Sequence, residues 1–153
     1  MRIREWNEKY AEISKKYDAL YHRVALKYGF SDMQHWILYV LYSTEEEKIH
    51  TQNDIAALFG MPKQTLNSAV AGLQKAGYVT LTQASGPRNS KTVALTEAGY
   101  DVCRVCVAPL LEAEDRALAR ISEEEHKQFL CLYEKRYSVI CQEIENLLEK
   151  GEK

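Results

Sequence analysis

Long apolar runs are missing from this 153-residue chain, whose longest unbroken stretches are a few residues against the ~20 that a membrane-spanning helix requires. The N-terminus Met1-Arg2-Ile3-Arg4-Glu5 alternates in charge where an export leader would pair a basic patch with an apolar core. No membrane partner is expected. Cysteine is absent before Cys103. The four cysteines, Cys103, Cys106, Cys131 and Cys141, lie in segments of helical pattern instead of the loop-rich texture of a disulfide-stapled secreted domain. Free thiols in a reducing, cytoplasmic setting are the expectation. Catalytic signatures are missing too: there is no Gly-rich phosphate loop, nucleophile elbow or His-Glu-x-x-His pair, so neither an enzyme nor a cofactor is expected. Internal repeats and low-complexity segments are absent, and 46% apolar content suits a domain that buries a core.

The most informative absence is local. Between Ile55 and Thr96 there is no Asp or Glu, while Lys63, Lys75, Arg88 and Lys91 all lie there. A chain of net charge −2 therefore carries its acidic excess entirely outside this window. Affinity for a phosphate backbone comes largely from Lys and Arg displacing counterions, which makes the middle of the chain the place for a polyanion.

Periodicity supplies the elements around that window. Ile3, Trp6, Tyr10, Ile13, Tyr17, Leu20 and Val24 alternate three- and four-residue steps, the narrow seam of a helix that packs on other helices and should end at Gly29. Ser31-Asp32-Met33-Gln34 reads as a capping box opening a second helix, with Trp36, Ile37, Val40 and Leu41 inward. Glu45-Glu46-Glu47-Lys48 reads as a solvated turn. Thr51-Gln52-Asn53-Asp54 repeats the capping signature for a short helix that runs through Phe59, buries Ile55 and Leu58, and stops at Gly60. Pro62 suits a first helical turn, and Leu66, Val70 and Leu73 follow at i, i+4 and i+7 in a helix that closes at Gly77. The period then falls to two at Val79 and Leu81 and again at Val93 and Leu95, with the turn-rich residues 84–90 between, as in a β-hairpin with a long tip. Helical signals return after Thr96 with Tyr100, Cys103, Val107, Leu110 and Leu111 on one face, as far as a break near Arg120. Ser122 then caps a last helix carrying Phe129, Tyr133, Ile140, Ile144 and Leu147.

Helix, tight turn, helix and hairpin in this order make a winged helix-turn-helix, in which the second short helix enters a major groove and the hairpin tip reaches a neighbouring one. The expected fold is mainly α with a small β-hairpin wing: a winged helix-turn-helix at 30–96, flanked by dimerisation helices at 1–29 and 97–153. With Leu66, Val70 and Leu73 inward, Lys63, Gln64, Thr65, Asn67 and Ser68 offer an ammonium, two amides and two hydroxyls to double-stranded DNA. Gln64 and Asn67 suit adenine edges, and Lys63 suits guanine or phosphate. Arg88 and Lys91, on the slim hairpin tip, suit a minor groove. Thr51 and Gln52 open the preceding helix, where backbone amides anchor a phosphate.

The runs Thr51-Gln52-Asn53-Asp54-Ile55-Ala56, Pro62-Lys63-Gln64-Thr65-Leu66-Asn67-Ser68-Ala69, Leu73-Gln74-Lys75-Ala76-Gly77-Tyr78-Val79 and Leu95-Thr96-Glu97-Ala98-Gly99 resemble the multiple-antibiotic-resistance-regulator (MarR) family. The resemblance covers about half the chain closely. It implies a homodimer built by the first and last two helices, a wing arginine on DNA, and release of DNA by a small aromatic or lipophilic effector. Two positions depart from the family pattern. Ser68 stands where Arg is frequent, and Gly86-Pro87-Arg88 replaces Asp-x-Arg, so that Arg88 lacks the usual acidic partner.

Dimerisation has its own sequence support, because a DNA-binding module of 30–96 cannot bury the seams of both terminal helices. The expectation is an effector-responsive repressor on a pseudo-palindromic operator. Two alternatives stand beside it: a winged-helix protein-interaction module without DNA binding, and a thiol-based redox-sensing regulator using Cys103, Cys106, Cys131 or Cys141. Cys103-x-x-Cys106 has no second ligand pair at zinc-site spacing, so no metal is expected. Tyr10, Tyr17, Tyr21, Tyr28, Tyr39 and Tyr42, beside Trp6 and Trp36, suit interface packing or an effector cleft.

Overall fold

Local capping chemistry sets where the helices begin. In the computed structural model, which describes residues 2–44, 50–60, 62–83 and 91–150, helix α1 spans Ile3–Lys27 and α2 spans Asp32–Ser43. Gly29, at φ 77°, takes the left-handed turn that ends α1. Ser31 then opens α2: its Oγ accepts from Gln34 N at 3.3 Å, and its own N–H donates to Gln34 Oε1 at 3.1 Å. The same reciprocal pair recurs where Thr51 Oγ1 accepts from Asp54 N at 3.1 Å and Thr51 N donates to Asp54 Oδ2 at 2.9 Å, opening α3 (Gln52–Phe59). Gly60, at φ 59°, closes α3, and Pro62 leads into α4 (Lys63–Lys75). The expected turn at 45–48 lies outside the described residues.

Strands β2 (Val79–Gln83) and β3 (Lys91–Leu95) pair antiparallel with Leu81 opposite Val93. Val79 and Val93 point inward and are nearly fully buried, as the period-two pattern requires. A two-residue strand, β1 (His50–Thr51), adds to the other edge of β3 through His50 opposite Val93, giving the order β1-β3-β2. Two residues carry no periodicity, so sequence patterning left β1 unseen. One expected core position is also corrected. Ile55 is fully buried, but Leu58 is 65% exposed. Helix α3 is only eight residues long and buries Ile55 and Ala56, which leaves Leu58 on its outer side.

The core gathers Ile37 and Leu38 of α2, Ile55 of α3, Leu66, Val70 and Leu73 of α4, and Val79 and Val93 of the sheet. Burying each such aliphatic side chain contributes about 1.5–3 kcal/mol. Helix α5 (Glu97–Cys106) closes this core from the far side with Cys103 and Cys106, together with Val107 just beyond its end. The expected single helical stretch to Arg120 divides at Val107 into α5 and α6 (Ala108–Leu118). Pro109 is the cause, since it has no N–H to continue the α5 ladder but is tolerated in the first turn of a new helix. His35, 2% exposed, covers the break by donating from Nε2 to the Cys106 carbonyl at 3.1 Å.

Helix α7 spans Glu123–Lys150, and Ser122 Oγ accepts from Glu125 N at 3.3 Å at its start. By internal contacts the chain forms two compact units, Met1–Leu111 and Glu112–Lys153. Among the described residues no helix is long and apolar enough to cross a membrane.

Candidate nucleic-acid interface

Helix α4 has one buried side and three exposed ones. Leu66, Ala69, Val70 and Leu73 are buried, and at about 100° per residue their opposite is the strip Gln64, Ala71 and Lys75. All three are exposed. Asn67 borders the strip on the side toward α3, where Gln52 Nε2 donates to Asn67 Oδ1 at 3.2 Å, and Lys63 lies further round, beside the buried Val70 but itself exposed. Thr65, Ser68 and Gly72 border it on the side toward α2. A methyl on Gly72 would stand 2.6 Å from Gln34 Nε2, so this glycine gives the α2 capping side chain its room. Ser68 donates its hydroxyl proton to the Gln64 carbonyl at 3.0 Å, which leaves its oxygen to act only as an acceptor. Lys75 went unassigned at the sequence level, although its 4- and 11-residue spacings from Ala71 and Gln64 place it on the same strip.

The electrostatics of α4 set it apart from its neighbours. Helices α1, α2, α3, α5 and α7 each carry an acid in the first turn, which complements the partial positive charge of a helix N-terminus. Helix α4 carries none there, has no side-chain cap, and begins with Lys63. A cation at that pole opposes the macrodipole at a cost of about 0.3–1 kcal/mol in stability. Free amides, dipole and ammonium together make this end of α4 attractive to an anion.

The structure unites most of the sequence-derived residues but not all. Thr51 caps α3, and its neighbour Gln52 meets Asn67 of α4. Lys63, Gln64, Thr65, Asn67 and Ser68 are exposed on one helix. Lys91 opens β3 opposite Gln83, at the base of the wing. Arg88, with the rest of the hairpin tip at 84–90, lies outside the described residues.

Residues 28–88, which run from the end of α1 through the helix-turn-helix into the wing, match the sequence model of the MarR family. The similarity to that family is carried by this segment. The fold agrees over most of the chain. A structure of Staphylococcus aureus MepR in DNA-binding conformation superposes with a TM-score of 0.75 at 20% identity, covering 88% of this chain and 98% of that one. A crystal structure of an S. aureus MepR-DNA complex gives 0.72 at 20% identity over 88% and 96% of the two chains. A MarR/EmrR family transcriptional regulator from Acinetobacter sp. ADP1 gives 0.69 at 22% identity over 93% and 99%. Comparison with curated proteins gives no significant match. The expected winged helix-turn-helix is thus the MarR fold, mainly helical with a hairpin wing.

The thiols of the chain divide by burial. Cys103 and Cys106 are buried, Cys141 is half-buried and Cys131 is exposed. Desolvation pushes the Cys103 thiol up to about 12, with the neighbouring Cys106 adding to the shift, and burial likewise raises Cys106. The thiolate is the reactive form, so both stay protonated and inert at neutral pH. Titration with an aromatic disulfide at pH 8 is expected to leave Cys103 and Cys106 unmodified in the native protein and to reach both only in denaturant. Rapid native modification of either would contradict their burial. Among the described residues no group of three or more His, Cys, Asp or Glu is placed to hold a metal ion.

Proposed function

We propose that the chain is a sequence-specific DNA-binding transcriptional regulator that acts in the cytoplasm. On this reading it is a repressor, bound as a homodimer to a pseudo-palindromic operator with half-sites about 10 base pairs apart. The observation that carries the proposal is α4 itself, an exposed, acid-free helix with an uncapped N-terminus and a lysine where stability favours an acid. Lys63, Gln64, Asn67 and Lys75 face the major groove, with Thr65 and Ser68 at the flank of the same helix. Thr51 and Gln52 lie at the phosphate beside it, and Arg88 and Lys91 reach the adjacent minor groove. Residues 30–96 thus bind DNA while 1–29 and 97–153 dimerise.

Effector control fits a cleft of about 880 Å3 between α1, α2 and α4. Tyr21 and Trp36, with ring centroids 5.0 Å apart, form an aromatic wall. Thr65 and Ser68 of α4 line the same cleft. A small aromatic or lipophilic compound seated there would touch the recognition helix directly and favour the arrangement with the weaker grip on DNA.

Salt titration tests this reading against a protein-interaction module. Operator binding requires log affinity to fall linearly with log salt, with a slope set by several phosphate contacts. Lys63→Glu is expected to lower affinity on the order of tenfold at physiological salt and to flatten the slope by about one. The same change should raise stability by about 0.3–1 kcal/mol by satisfying the helix pole. Affinity unchanged by both salt and Lys63→Glu would favour the protein-interaction alternative.

A further inference from the structure

The cleft between α1, α2 and α4 has a definite sign of charge. No Lys or Arg is among the residues that line it, whereas Asp18 of α1 and Asp32 of α2 both are. The two carboxylates differ in their surroundings. Asp32 accepts from His22 Nδ1 at 2.7 Å and, in the first turn of α2, also answers the positive pole of that helix. The pole that would suit an anionic ligand is thus offset from within the chain. Asp18 lies one turn before His22 on the same face of α1, is exposed, and has neither an ion pair nor a hydrogen bond among the described residues. Three positions after it comes Tyr21, whose ring centroid is 5.0 Å from that of Trp36. Side chains three apart on a helix are neighbours, so the unanswered carboxylate borders the aromatic wall. A cation is attracted by the faces of such rings and by the carboxylate beside them.

We propose that the occupant of this cleft is a monocationic aromatic compound, an aryl amidinium or aryl ammonium, with its charge at Asp18 and its ring against Tyr21 and Trp36. The inference rests on the effector reading of the cleft above and gives that effector a sign of charge. An amidinium is planar and donates two parallel N–H bonds to a carboxylate, as a guanidinium does. An aromatic carboxylate of the same shape would meet Asp18 and Asp32 with no cationic side chain of the lining to offset them. A neutral amide would fill the same space and leave Asp18 without a counter-charge.

The test titrates the full chain calorimetrically, without DNA and at low salt and neutral pH, with naphthyl amidine, naphthyl amide and naphthoate, which share one shape and differ in charge. The amidine is expected to bind about tenfold more tightly than the amide, and naphthoate more weakly than either. Asp18→Asn, an exposed change, should bring the amidine to within about threefold of the amide and leave the amide as it was. Trp36→Leu keeps apolar volume but removes the indole face, and should weaken the amidine and the amide together. Asp115→Asn, exposed on α6 and outside the lining, should change nothing, which separates the cleft from general attraction to an acidic chain. If Trp36→Leu does not fold by circular dichroism, Asp18→Asn decides alone. Equal affinity for the three compounds, tighter binding of naphthoate, or an amidine preference that survives Asp18→Asn overturns the inference and leaves the effector reading of the cleft in place. Binding of none of the three, or amidine affinity untouched by a folded Trp36→Leu, removes both, while the DNA-binding reading is still judged by its own salt titration.

Discussion

Gly99→Ala is expected to destabilise the chain by about 3 kcal/mol or more and to lower Tm by on the order of 10 °C. Gly99 is buried in the first turn of α5, and a methyl there would overlap the backbone carbonyl oxygen of Tyr78 and crowd Leu95. Backbone cannot swing aside as a side chain does. The carbonyls concerned already have partners: Thr96 N donates to Tyr78 O at 3.0 Å, and Thr96 Oγ1 donates to Gly77 O at 2.6 Å. Thr96 Oγ1 in turn accepts from Gly99 N at 2.9 Å, so displacing Gly99 also strains the α5 cap, worth about 1 kcal/mol. This explains physically why Leu95-Thr96-Glu97-Ala98-Gly99 is a distinctive stretch: it seats α5 on the turn that follows α4. Gly72→Ala is the contrasting control. Its methyl meets only the end of the Gln34 side chain, and the gain in helix propensity of about 1 kcal/mol offsets a weakened α2 cap. Thermal unfolding should show Gly72→Ala within a few degrees of wild type and Gly99→Ala far below. Equal midpoints would mean that α5 does not sit against Tyr78 as described.

A second large effect is expected at the helical surfaces assigned to dimerisation. Trp6, Ile13, Tyr17 and Leu20 of α1 are 47–62% exposed, and Phe129, Tyr133, Ile140, Ile144 and Leu147 of α7 are 38–69% exposed. Apolar faces of this extent are rare on monomers and usually mark an interface. Ile144→Asp is therefore expected to convert a dimer to a monomer in sedimentation at micromolar concentration, and Ile13→Asp to do the same from the other helix. On the proposed function each monomer would keep α4 but lose the second half-site, so affinity for the full operator should fall about 100-fold or more while half-site binding is unchanged. A wild type that sediments as a monomer, or variants that remain dimeric, would remove the role assigned to these helices.

What was legible in the sequence was chemistry complete within a few residues. Ser31 with Gln34 and Thr51 with Asp54 could be read as caps because the partners are three positions apart, and Gly29, Gly60 and Gly77 because left-handed backbone selects glycine. The alternation at Val79 to Leu81 and Val93 to Leu95 marked the wing strands for the same reason. Features joining distant segments were not legible. The placement of β1 depends on β3 some forty residues later, and the burial of His35 depends on the Cys106 carbonyl, left open where Leu110 N turns to Val107 O at the end of α5. The inward reading of Leu58 followed a helical period that the short α3 does not use on that side. At the candidate interface, Gln64 was found from its position opposite Leu66, Val70 and Leu73, whereas Lys63, read as outward too, lies beside Val70 and is exposed only because it opens the helix. The Gln52–Asn67 bond escaped notice because it crosses from one helix to the next.

Photocrosslinking tests most directly whether the outward strip of α4 lies against a duplex. A photoreactive residue at position 64 or 71 is expected to crosslink to the selected operator at low salt, and to stop doing so when competitor operator or high salt is added. The same residue at position 101 on α5 should give no crosslink. Equal labelling from all three positions, or none from 64 and 71, would contradict the account.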